Sequence, residues 1–169
     1  MRKSILITTF APWLPHHTSN ASDDLLQHFI DARGGACDYL RHLPVDPELA
    51  PRMVLDAFER LRPKVLLCCG MAETRSRLEL ETQALLEGSV LHSDLNLSRL
   101  ADGLALTALS DDAGDFVCNT LYYRCLERVQ GTAGAHHCLF LHVPVLTADN
   151  TALLTQSFTA IIDRLTAHL

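Results

Sequence analysis

"DPELAPRMVLDAFERLRPKVLLCCG", Asp46 to Gly70, decides the fold. Its first part carries a helical pattern despite Pro51 near the start. Its last seven residues, "KVLLCCG", are a short apolar run closed by a glycine, which reads as a buried strand. A helix feeding directly into a strand with no polar face is the signature of a sheet covered on both sides.

The alternation continues in both directions. Towards the N-terminus, "SILITTF" is a strand bounded by Pro12 and Pro15. "SDDLLQHFIDARGG" is a helix with Leu25, Leu26, Phe29 and Ile30 at helical spacing, and "ACDYLRHLPV" is a strand. Towards the C-terminus, "RLELETQALLEG" passes from extended to helical and "DLNLSRLADG" is a short helix. "LALTALS" follows as a strand, and "DFVCNTLYYRCLERVQG" as a helix with Phe116, Leu121, Cys125 and Val129 along one side. "HHCLFLHVPV" is a strand and "NTALLTQSFTAIIDRLTAHL" a closing amphipathic helix. The pattern predicts an α/β fold: a three-layer α/β/α sandwich with a mostly parallel central sheet, formed by residues 1–169 as a single domain.

The bulk properties narrow the function classes. The 169 residues are 48% apolar and 20% charged, with a net charge of −6. That balance offers no attraction to nucleic acid or to an anionic membrane. No apolar run is long enough to cross a bilayer, and "RKSILITTF" lacks the layout of a signal peptide. Cys37, Cys68, Cys69 and Cys138 lie in or beside apolar runs, as reduced core thiols do, so a cytoplasmic protein is expected.

Ligands of such sheets bind at the carboxyl ends of the strands. Those ends fall at Thr9–Phe10, Gly70, Ser110 and His142, which places several reactive groups on one edge. Cys118 begins a helix there. A helix N-terminus lowers a thiol pKa, and its free N–H groups can hold an oxyanion. A nucleophilic cysteine needs a histidine to share its proton and a polar group to orient that histidine. His142 and Glu81 are the candidates. The competing reading is packing alone, with Cys118 under the sheet and His142 capping a strand.

"SDDAGDFVCNTLYY", Ser110 to Tyr123, resembles the cysteine motif of the pyroglutamyl peptidase I (pyrrolidone-carboxylate peptidase) family. "ILITTFAPW" is similar to that family's opening strand and turn, with Asn20 at the expected asparagine. "LPV" from Leu43 falls in place, "CGMAETRSRLELE" resembles the block holding the glutamate, and "FLHVP" the block holding the histidine. The resemblance implies Cys118 as nucleophile, His142 as general base and acid, and Glu81 as the residue that orients the imidazole. It places Arg75 near the oxyanion site. Phe10, Trp13 and Phe116 are the implied pocket aromatics, and Asn20, Met71 and Val117 complete the substrate-binding set. The implied activity removes an N-terminal pyroglutamyl residue from a small peptide, without cofactor or metal; homo-oligomer formation is left open.

The chain also departs from the family pattern. Thr9 stands for a usual glycine, Ala11 for glutamate, Leu14-Pro15 for paired glycines, and Glu73-Thr74 for two more. Only "LEGSVLHSD" joins the glutamate segment, expected as a helix, to the next helix, where the family has a long excursion. Larger side chains at glycine positions restrict loop backbone, and the shorter connection opens the pocket. An alternative function is therefore a catalytically silent member binding a small molecule or protein through the same cleft. The "PHH" at Pro15 and "HHC" at His136 show no second ligand pair at a recognisable spacing, so no metal is expected. Cys68 and Cys69 face opposite sides of a strand, and Cys125 reads as core packing.

Overall fold

The computed structural model describes residues 4–167. His168 and Leu169, placed in the closing helix by sequence, lie outside the described residues. A six-stranded sheet runs in the order β2-β1-β3-β8-β4-β7. Its strands are β1 Ile5–Phe10, β2 Asp38–Leu43, β3 Val65–Met71, β4 Leu78–Glu81, β7 Thr107–Ser110 and β8 His137–Val143. The helices are α1 Ala21–Arg33, α2 Leu49–Leu61, α3 Leu97–Ala101, α4 Val117–Gln130 and α5 Thr151–Ala167. β2, β1, β3 and β8 pair parallel. β4 pairs antiparallel with β8 and parallel with β7, so the last two strands run the other way.

Successive residues of each central strand feed opposite cores, because strand side chains alternate. Ile5, Ile7, Val65, Leu67, Cys69, Leu139 and Leu141 pack under α1, α3 and α5. Leu6, Leu66, Cys68, Cys138 and Phe140 pack under α2 and α4. The three-layer expectation holds, and Cys68 and Cys69 do point to opposite faces. Pro51 is tolerated because it lies in the first turn of α2, where backbone N–H groups have no intrahelical acceptor. There the Asp46 carboxylate accepts from the Glu48 and Leu49 N–H groups instead.

Two expectations need correction. The stretch after Leu80 does not become helical. It forms a hairpin of β5 Gln83–Leu86 and β6 Ser89–His92, turned by Glu87 and Gly88 with φ of 50° and 81°. Left-handed backbone at both turn positions matches the strand twist, and "EG" supplies it. Glu81 therefore stands on a strand. Nor does Ser110 share the carboxyl edge: β7 is reversed, and Ser110 pairs with Glu81, which faces Phe140 in mid-strand. Its hydroxyl accepts from the Asp112 N–H and shapes the turn that leads on to α4.

Candidate active site

Three adjacent strands and one helix build the site. His142 lies at the upper end of β8 and is 5% exposed. Its register partners are Gly70 on β3 and Glu79 on β4. His142 Nδ1 lies 2.6 Å from Glu81 Oε1, and Glu81 is fully buried. A carboxylate accepts only, so Nδ1 carries a proton, and Nε2 is the nitrogen left to exchange one. Because β4 runs against β8, residues two apart on β4 and β8 point to the same face, and the glutamate reaches the histidine diagonally.

A guanidinium holds that glutamate in turn. Arg75 Nη1 donates to Glu81 Oε1 at 2.8 Å and also to Glu79, while Nη2 donates to the Asp112 carbonyl. Arg75 thus stands behind the carboxylates and ties them to the loop preceding α4. It is not among the residues that line the cavity. Glu81 Oε2 has no hydrogen-bond partner among the described residues.

Cys118 is the second residue of α4. The N-cap position is Phe116, in extended backbone and without a side-chain bond to the first turn. A helix start without a side-chain acceptor leaves its N–H groups open to a ligand. The sulfur rests against Gly70: a Cβ there would come within 2.7 Å of Cys118 Sγ and 2.9 Å of the Phe140 ring. Gly70 is thus required by close approach, and it seats the thiol beside the strand that carries His142.

Burial pushes the Cys118 thiol up to about 12, Cys68 and then the Glu81 carboxylate adding to the rise and Arg75 opposing it. The expectation that the helix start lowers this pKa is overturned. Removal from water disfavours the thiolate more than the nearby cation favours it.

A cavity of about 200 Å³ opens over these groups. Cys118 and His142 line it together with Phe10, Trp13, Asn20, Met71, Phe116 and Val117, the whole expected substrate-binding set. Phe116 does not lie along the buried side of α4; it is 49% exposed and packs on Trp13 with ring centroids 6.2 Å apart. Asn20 caps α1 by accepting from the Ser22 N–H and holds the Ala11 carbonyl with its amide. Sequence reasoning missed Val45, Ala113, Gly114 and Asp115, which also line the cavity. All four sit in or next to matched segments, so "LPV" and "DDAGD" were the available signals.

The glycine-position departures introduce no backbone strain. Among the described residues, left-handed non-glycine backbone occurs at His42, Arg62, Glu87 and Leu106, not at Thr9, Leu14, Glu73 or Thr74. Thr9 instead donates its hydroxyl to the buried Asp23 carboxylate, which Arg41 grips with Nε and Nη2, both at 2.8 Å.

Ligand partners that sequence spacing did not reveal do come together. The sulfur atoms of Cys68, Cys125 and Cys138 lie within 4.8 Å of one another, fully buried. His16 and His17 converge on Glu73 to the same tolerance, at the surface. Cys125 remains a core residue, as expected.

These elements define an α/β protein with a cysteine and a Glu-oriented histidine facing one apolar cavity. The fold is that of the pyroglutamyl peptidases, to which the sequence was already similar. Over 86% of its length the chain is 24% identical to the pyrrolidone-carboxylate peptidase of Bacillus licheniformis, covering 80% of that protein. It superposes on a mutant pyrrolidone carboxyl peptidase of Pyrococcus furiosus with a TM-score of 0.82, at 17% identity, covering 98% of this chain and 99% of that one. Against pyroglutamyl peptidase I of Bacillus amyloliquefaciens the TM-score is 0.80 at 19% identity, with 94% of each chain covered. No protein-family model matches the chain.

Proposed function

We propose that this chain is a cysteine peptidase that hydrolyses the amide bond after an N-terminal pyroglutamyl residue, or a similarly small acyl group, through Cys118, His142 and Glu81. One observation carries the reading. A histidine held 2.6 Å from a buried glutamate faces the same cavity as a cysteine at an open helix start.

A raised thiol pKa favours a proton that leaves as the bond forms. His142 Nε2 takes it while Sγ attacks the carbonyl carbon, and Glu81 steadies the resulting imidazolium. The oxyanion is held by the first-turn N–H groups of α4. Collapse expels the peptide amine, protonated by His142, and leaves a thioester. Water, deprotonated by the same nitrogen, then releases the acid. General-base help of this kind contributes about 10²–10⁴-fold. Arg75 acts as a positioning residue, balancing Glu81 from behind.

Phe10, Met71 and Val117 give the cavity an apolar lining that suits a flat, uncharged lactam better than a free ammonium. No helix among the described residues is long and apolar enough to cross a membrane. Cys68, Cys69, Cys118, Cys125 and Cys138 are free thiols, and we place the enzyme in a reducing compartment, the cytoplasm, acting on small peptides.

The test is hydrolysis of a pyroglutamyl fluorogenic amide by the wild type beside Cys118→Ala. Turnover that the substitution abolishes supports nucleophile and substrate class together. Absence of turnover in the wild type removes the pyroglutamyl assignment.

A further inference from the structure

The segment between β1 and α1 carries Trp13, His16 and His17, and the segment after β3 carries Glu73. Neither histidine nor Glu73 lines the substrate cavity. Yet the side chains meet across 56 positions of sequence: Glu73 Oε1 accepts from His17 Nε2 at 2.8 Å and lies 3.3 Å from His16 Nε2. The His17 side chain is only 5% exposed. Its other nitrogen, Nδ1, accepts from the Leu14 N–H at 3.3 Å. That bond fixes the tautomer, because a ring accepting at Nδ1 carries its proton on Nε2, where the carboxylate waits. Both hydrogen bonds also hold the Glu73 carboxyl below its ordinary range.

The chain of contacts then runs on into the cavity wall. Trp13 packs edge-on against His17 at 5.8 Å and lies tilted against Phe116 at 6.2 Å. A flat group sandwiched between two rings needs a centroid separation of about 7 Å, twice the stacking distance. The Trp13–Phe116 pair is too close for that, so it closes one side of the mouth rather than gripping substrate between its rings. Met71 forms a shared wall: it lines both the substrate cavity and a second hollow of about 310 Å³ bordered by His16, His17, Glu73 and Asp24.

We propose that Glu73 and His17 are specificity-determining positioning residues: Glu73, through the Nε2 proton of His17, pins Trp13 against Phe116 and so limits the mouth to small acyl groups. This rests on the peptidase reading for its consequence in catalysis, but not for the clamp itself. The same three side chains have ligand atoms close enough for a metal ion. The hydrogen-bond clamp fits better, because a metal on His17 Nε2 would displace the proton and force one onto Nδ1, against the Leu14 N–H.

Trp13 is the sole tryptophan of the chain, so its emission reports the clamp without any substrate. In Glu73→Ala the emission should shift to the red and the acrylamide quenching constant should rise roughly twofold, as a ring freed from its neighbours meets water. Glu73→Gln keeps an acceptor for the His17 proton and should stay near the wild type in both. With a pyroglutamyl amide, Glu73→Ala should raise KM roughly three- to tenfold while kcat stays within about twofold, the mark of lost positioning rather than lost chemistry. Amides of bulkier acyl groups should lose less.

Unchanged quenching in Glu73→Ala overturns the clamp whatever turnover does. Wild-type quenching that rises with a chelator and recovers with zinc overturns it in favour of a metal site. If no variant or wild type hydrolyses the amide while the quenching follows the expected order, the clamp stands and the peptidase assignment falls.

Discussion

Cys118 owes its behaviour to the balance at one sulfur atom. Iodoacetamide reacts with the thiolate, so the alkylation rate should climb steadily from neutral pH towards 12 with no plateau near neutrality. A plateau below pH 8 would mean that the free enzyme holds a preformed thiolate–imidazolium pair. Gly70→Ala would drive a methyl group against Sγ and the Phe140 ring. It should cost about 1–3 kcal/mol by urea titration and displace the Cys118 sulfur, so that any turnover through it falls with stability. Glu81→Gln should lower kcat by about 10²–10⁴-fold while KM changes little, because the amide no longer steadies the imidazolium. That Cys118, His142 and Glu81 would come together was legible in the sequence through their motifs. The state of the thiol was not: a helix start is visible in a pattern, but the depth of the atom below the surface is set by Gly70 and Phe140, which sequence distance separates.

Among the elements, the hairpin of β5 and β6 shows what local pattern can miss. "LELETQALLEG" reads equally as strand or helix until tertiary contacts choose. They choose strand because Asn119 of α4 receives the Leu85 N–H on its side-chain oxygen and returns its amide to the Leu85 carbonyl, as a neighbouring strand would. Asn119→Ala should therefore strip the hairpin of two bonds. A loss of about 1–3 kcal/mol in chemical denaturation is expected. Exchange of the Leu85 amide should quicken in the same variant. Helices with apolar spacing, such as α1 with Leu25, Leu26 and Phe29, were read correctly because their burial follows period alone. The direction of β4 and β7 had no such signal, since an apolar run says nothing of which way it is paired.

For the whole molecule, stability should be limited at both ends of the pH scale. Burial alone would raise the Asp23 carboxyl, but the Arg41 and Thr9 hydrogen bonds prevail and hold it below its ordinary value. The stability this lends is present above about pH 4 and is lost as the pH falls through the folded value. Cys118 acts in the opposite sense. Unfolded thiols titrate near 9 and this one at about 12, so its contribution is complete below pH 9 and disappears as the pH rises to 12. Thermal midpoints taken across pH should fall at both extremes, and Asp23→Asn should flatten the acid limb while leaving the alkaline one.

Helix α4 carries Cys118 in its first turn and, one turn further, Tyr122, whose hydroxyl donates to the Glu81 carbonyl at 2.9 Å. The helix that carries the Cys118 thiol therefore also holds the strand end that carries Glu81. A shift of the helix along the sheet would move the thiol and, through this bond, pull on the end of β4. One hydrogen bond thus ties together the two elements whose relative position sets where the thiol stands against the Glu81–His142 pair.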